Sequence, residues 1–116
     1  MSNPGNDERV LCGAWKLEYF ETLDGDRFTH FSDIIIFSHP YYSDLHTEYG
    51  MIKRTFGHVG KFKLSGDSIT FQVQQSTESE YIGLVAVGRY ALDGDILEIS
   101  MERGNTPGIW VYKRLT

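Results

Sequence analysis

Tyr42, Asp44 and His46 stand at alternate positions, and His58 follows between Phe56 and Gly60 in the next alternating stretch. In an extended strand, alternate side chains share a face. A phenol, a carboxyl and an imidazole on one face, with a second imidazole on the neighbouring strand, make a set that can donate, accept and relay protons. That chemistry needs Asp44 to face an interior, where an uncompensated charge is costly and must find a partner, water or a ligand. Two registers are open for residues 41–47. In one, Tyr42, Asp44 and His46 point inward. In the other, the segment is a rim strand and Asp44 and His46 are solvated. His58 shares a face with Phe56, Phe62 and Leu64, and Gly60 beside it leaves space for a ligand or for a bend.

Tyr19, Tyr90 and Tyr112 each offer a hydroxyl on an apolar body, which suits either a core or a ligand. With Tyr42, His58, Phe71 and Trp110 they complete the candidate ligand contacts, while His58, His46 and Asp44 are the candidate catalytic residues. Other chemistries lack their residues. A zinc site needs three or four ligands at close spacing, and only Asp44, His46 and His58 approach that, so no metal is expected. The Asp24-Gly25-Asp26 and Asp93-Gly94-Asp95 segments lack the spacing and closing Glu of a calcium loop and read as turns. There is no phosphate loop, nucleophile elbow or dinucleotide fingerprint, so no cofactor is expected. His30 and His39 fall near strand ends and read as surface residues. The single Cys12 excludes an intrachain disulfide and reads as inert.

Strands must position this set. Trp15, Leu17 and Tyr19 alternate with Lys16 and Glu18, giving a first strand with one dry face. Ile34 to Phe37 is a short β-branched run that Pro40 ends. Residues 41–47 form the third strand. Phe56 to Leu64 and Ile69 to Val73 flank a Ser65-Gly66-Asp67 turn and read as a hairpin. A polar loop over residues 76–80 precedes a long strand from Ile82 to Leu92. The Asp93-Gly94-Asp95 turn then leads to Leu97–Met101. A loop over residues 104–108 precedes a last strand from Ile109 to Leu115. Eight sequential strands with short turns predict an all-β fold, an antiparallel up-and-down barrel that closes on its dry face. Residues 1–10 read as a flexible tail and residues 11–116 as the barrel.

The chain has 116 residues and a formal net charge of −5, with 14% aromatic residues. One domain is the expectation at this length. Scattered basic residues on an acidic chain argue against nucleic acid and against anionic membrane surfaces. The polar opening has no apolar stretch of the kind a leader requires, so the expected location is cytoplasmic.

Gly13-Ala14-Trp15-Lys16-Leu17, Gly60-Lys61-Phe62, Gly66-Asp67, Gly83, Arg89-Tyr90, Gly94-Asp95 and the closing Trp110 to Arg114 strand occur in this order over residues 11–115. In these motifs the chain resembles the small bacterial lipocalin-like (calycin) domain family. The resemblance implies that Trp15 lies across the closed end of the barrel beneath a basic side chain of the last strand, with Arg114 first and Lys113 second for that place. It also implies an intracellular member, since secreted lipocalins carry a leader and disulfides. Two departures occur. A His common after the first Gly-Asp turn is replaced near Phe71, and Ser38 to Tyr42 replaces a Gly-containing turn.

The leading expectation is an intracellular barrel that binds an apolar or aromatic small molecule in its interior. The alternative is a cofactor-independent cyclase or isomerase using Asp44, His46 and His58. A third is a homodimeric interaction module. It would use an outward apolar strip of Ile35 and Phe37, provided Ile34 and Ile36 face in.

Overall fold

The period-two alternation becomes strand along almost the whole chain. The computed structural model describes residues 6–29, 31–49, 53–101 and 107–115. A helix α1 (Asn6–Leu11) comes first. It is followed by β1 (Gly13–Thr22), β2 (Arg27–Phe28), β3 (Phe31–Ser38), β4 (Tyr41–Glu48), β5 (Arg54–Ser65) and β6 (Ser68–Ser76). A 3₁₀ turn (Ser79–Tyr81) leads to β7 (Val85–Asp93), β8 (Ile96–Met101) and β9 (Gly108–Arg114). Apart from β2, neighbours in sequence are neighbours in space, and β1 pairs antiparallel with β9. The eight expected strands therefore close into an up-and-down barrel, and the two-residue β2 is an addition paired to the end of β1. Gly66 and Gly94, at φ of 60° and 59°, make the left-handed turns that their hairpins need. No helix among the described residues is long and apolar enough to cross a membrane.

The lumen is filled at one end only. Leu11, Trp15, Phe37, Ile69 and Leu97 pack there with almost no exposure, with Phe62 and Leu17 beside them. Aromatic rings lock edge to face, with Phe37 and Phe62 at 4.8 Å and Tyr42 and Phe71 at 4.9 Å between centroids. The Arg114 guanidinium lies 4.2 Å from the centre of the Trp15 ring, as the resemblance implied. Trp15 Nε1 donates to the Leu11 carbonyl at 2.8 Å, and Arg114 donates to the carbonyls of Cys12 and Val10. The base of the barrel is thus shut by α1 as well as by the ring-and-guanidinium stack.

Three local expectations change. The expected tail is helical from Asn6, with Asp7 and Glu8 in its first turn, where carboxylates suit the helix dipole. In β1 the register slips between Leu17 and Tyr19, so Phe20 faces inward and is buried. In β3 the faces are opposite to those the outward strip required. Ile35 and Phe37 are buried at 3% and 1%, while Ile36 is 46% exposed. An outward apolar strip exists, but Ile36, Leu45 and Val59 form it. His30 and residues 102–106 lie outside the described residues. His39 is exposed, as expected.

Gly60 serves the bend, and leaves no room for a ligand atom at its own position. A Cβ there would stand 1.8 Å from the Gln72 carbonyl oxygen. The close approach sits at a bulge, where β6 pairs Gln75 with Val59 and then Val73 with Gly60, leaving Gln74 over.

Candidate functional site

The unfilled half of the lumen is a cavity of about 510 Å³. Phe71, Ile99 and Tyr112 belong both to its wall and to the packed core, so they form its floor. Glu48, Arg54 and Tyr81 also line it. A second hollow, about 540 Å³, lies among the outward side chains Ile34, Ile36, Leu45 and Val59.

Strand register assembles the polar set. The inward register of β4 places Tyr42, Asp44 and His46 on the cavity. In β3, Asp33 shares the inner face with Ile35 and Phe37 and pairs across to His46. In β5, His58 stands opposite Asp44, and Phe56 opposite His46. The two histidines are therefore offset along the lumen, each facing a carboxyl.

Asp33 is 3% exposed. Its Oδ2 lies 2.9 Å from His46 Nδ1, which places the Nδ1 proton in that bond. His46 Nε2 faces Glu48 Oε1 at 3.6 Å. The imidazole is held between aromatic groups, stacked on Phe56 at 6.2 Å and edge-on to Trp110 at 6.1 Å. The ring of His58 stands edge-on to Tyr81 at 5.3 Å.

Asp33 and Asp44 form a coupled pair of acids. Burial pushes Asp44 well above the usual carboxylate range, and its hydrogen bond to Asp33 and the Asp33 charge push it further. The nearby His46 and His58 oppose this. Burial also raises Asp33, while the hydrogen bond from Asp44 pulls it back down. A proton held by the pair thus favours Asp44 over Asp33. Burial and then Asp44 push the Tyr42 phenol up to about 12. Burial, with the charges of Asp33 and Asp44, raises Tyr112 well above its ordinary value. Both phenols keep their protons at neutral pH.

A stability signature follows from these directions. Both acids hold their protons more tightly folded than unfolded. The stability they contribute is complete below about pH 4 and is lost as pH rises through their raised folded values. The protein should melt highest in mild acid and lose stability toward pH 8. Asp44→Asn keeps a donor for Asp33 without an ionisable proton. It should flatten the profile and raise Tm at pH 8 by about 5 °C, from roughly 1 kcal/mol of relieved desolvation. Parallel thermal melts of the two proteins between pH 4 and 8 check this, and equal slopes would mean that Asp44 is solvated and ordinary.

Of the residues singled out from sequence, Asp44, His46, His58, Tyr42, Phe71, Trp110 and Tyr112 line the cavity. Tyr19 does not. The β1 slip turns it away, and its ring carries the Arg27 guanidinium at 4.2 Å. Tyr90 lies at the filled end, where its hydroxyl donates to Asp7 Oδ2 at 2.6 Å, with the Gly66 carbonyl 3.1 Å away. Asp33 was not among the sequence candidates, although counting back by twos from Phe37 reaches it. Among the described residues, no three His, Cys, Asp or Glu groups stand as metal ligands.

No family model and no curated protein matches the sequence. The fold does have a solved counterpart. A lipocalin-like protein from Bacteroides uniformis superposes with a TM-score of 0.67 at 18% identity, over 90% of this chain and 98% of that one. An eight-stranded meander shut at one end by a first-strand tryptophan under a last-strand arginine, and matched along nearly its whole length by that structure, is a lipocalin-like barrel.

Proposed function

We propose that the protein binds a small molecule with an apolar or aromatic body in the open half of its barrel. One observation carries this reading: the lumen is filled by buried side chains at its base yet keeps about 510 Å³ unfilled above Phe71 and Ile99. That size lies within the range of small-molecule pockets, and the mixture of an aromatic wall with a few polar groups is typical of them. Filling such a space with the chain's own side chains would be the cheaper solution if stability alone were selected. A chain with one cysteine suits a reducing compartment, so we assign it to the cytoplasm.

Titration with N-phenyl-1-naphthylamine, a neutral probe that brightens in apolar surroundings, tests the reading. Saturable one-to-one binding is expected. Val73→Trp should fill the cavity and weaken binding at least about tenfold, since a filled site excludes the ring. Ala86→Trp, at an exposed position of the lining opposite Phe71, does the same with less demand on packing. Unchanged affinity in both variants would place the probe elsewhere.

The Asp33, Asp44, His46 and His58 set favours a second reading, a cofactor-free isomerase or cyclase. Orientation in the cup would supply most of the rate gain, and the acids and imidazoles would move protons. His58→Ala separates the two readings. In a pure carrier it changes affinity by less than about threefold, as expected for one modest contact. In a catalyst it removes turnover while binding persists.

A further inference from the structure

We infer that the ligand held in this cavity is an organic cation, an aromatic or apolar body bearing a protonated amine that docks on Asp33 and Asp44. The inference rests on the binding reading above and names the chemical class of the guest. Among the described residues, three buried side-chain atoms have no hydrogen-bond partner: Asp33 Oδ1, Asp44 Oδ1 and His58 Nδ1. All three residues line the same cavity. Carboxylate oxygens are acceptors, so the group that completes them must bring N–H or O–H donors. Buried acceptors left unmatched are costly, and a charged donor matches a carboxylate about twice as strongly as a neutral one.

The charge of the lining points the same way. Among the described residues it carries three carboxyls, Asp33, Asp44 and Glu48, against the single guanidinium of Arg54. Arg54 stands at the end of β5, its guanidinium 4.8 Å from the centre of the Phe56 ring. An anionic guest would have to enter against those carboxyls. A cation meets them, and the faces of Trp110, Tyr42 and Tyr112 add the attraction of aromatic rings for positive charge. The titratable groups facing Asp44 are Asp33 from β3, His46 and Tyr42 from its own strand, His58 from β5 and Tyr112 from β9. An ammonium placed there takes over the role of the proton on Asp44. Binding therefore releases that proton.

Three probes with one body and three head groups test this: tryptamine, tryptophol and indole-3-acetate. Calorimetric titration of the full chain at pH 7 should rank tryptamine at least about tenfold tighter than tryptophol, with indole-3-acetate weakest. Tryptamine affinity should rise between pH 6 and 8, by up to about tenfold per unit, while that of tryptophol stays level. Titration in phosphate and in Tris, whose ionisation heats differ, should report a proton released with tryptamine only. Asp44→Asn and Asp33→Asn should each bring the tryptamine-to-tryptophol ratio within about threefold of one. Should either variant fold poorly, proton release in the unaltered protein still decides. Tryptophol binding as tightly as tryptamine, or the absence of proton release, overturns the cation inference. If N-phenyl-1-naphthylamine still binds saturably in that case, the small-molecule reading stands. If that probe and all three indoles fail to bind, both fall together.

Discussion

Trp15→Ala should cost about 3–5 kcal/mol of folding stability, the range for removing a fully buried indole. Trp15 has no exposed surface. Its ring lies between the core and the Arg114 guanidinium, and its indole N–H ties the barrel base to α1. Truncation opens a void against Leu11 of α1, Phe37 of β3 and Leu97 of β8, which are held by their own elements and cannot collapse into it. It also strands the Leu11 carbonyl. Urea unfolding should show a midpoint lower by roughly 2 M, given a slope of about 1–3 kcal/mol per molar. Arg114→Ala should cost less, about 1–2 kcal/mol, because the ring stays buried while the stacking, the bonds to Cys12 and Val10 and the exposed ion pair with Asp95 are lost. A Trp15→Ala loss under 1 kcal/mol would mean that the stack is decoration on a base held elsewhere.

Gly60→Ala should be nearly as damaging, about 3 kcal/mol or more, at the upper end of overpacking costs. The atom in the way is a backbone carbonyl, that of Gln72, and no rotamer can move it. Relief requires β5 and β6 to part at the bulge beside Gln74, two residues from His58. The same variant should therefore also weaken binding of a cavity probe. Gly25→Ala is the control. Its φ of 90° carries a strain of about 1–2 kcal/mol, but the space around it is open. Chemical unfolding of the two variants side by side, with equal losses, would count against a steric origin at Gly60.

The sequence announced the barrel more fully than the site. Clean alternation in Phe56–Leu64, Ile69–Val73 and Leu97–Met101 fixes both strand and face, because a one-residue slip would put every apolar side chain in water. The same logic brought Tyr42, Asp44 and His46 inward together in one of the two open registers. It failed where contrast was missing. Ile34 to Phe37 is apolar at every position, so neither face is marked, and the choice falls to pairing with β1 and β4. Asp33 was hidden by that ambiguity. Tyr19 was misplaced by a bulge, which leaves no mark in a polar-apolar pattern. Tyr90 faces the interior but lies at its filled end, since alternation gives the face and not the depth. The helix α1 was masked by its own polarity. Among its described side chains only Leu11 at its end is fully buried, too little for a periodic stripe.

Because α1 and the stacked arginine seal the base, the described residues form a cup that is blind at that end. On the binding reading proposed above, a guest would have no passage through that end, and would enter and leave on the side of the cavity that Glu48 and Arg54 line. Exchange would then run in sequence, the old occupant out before the new one in.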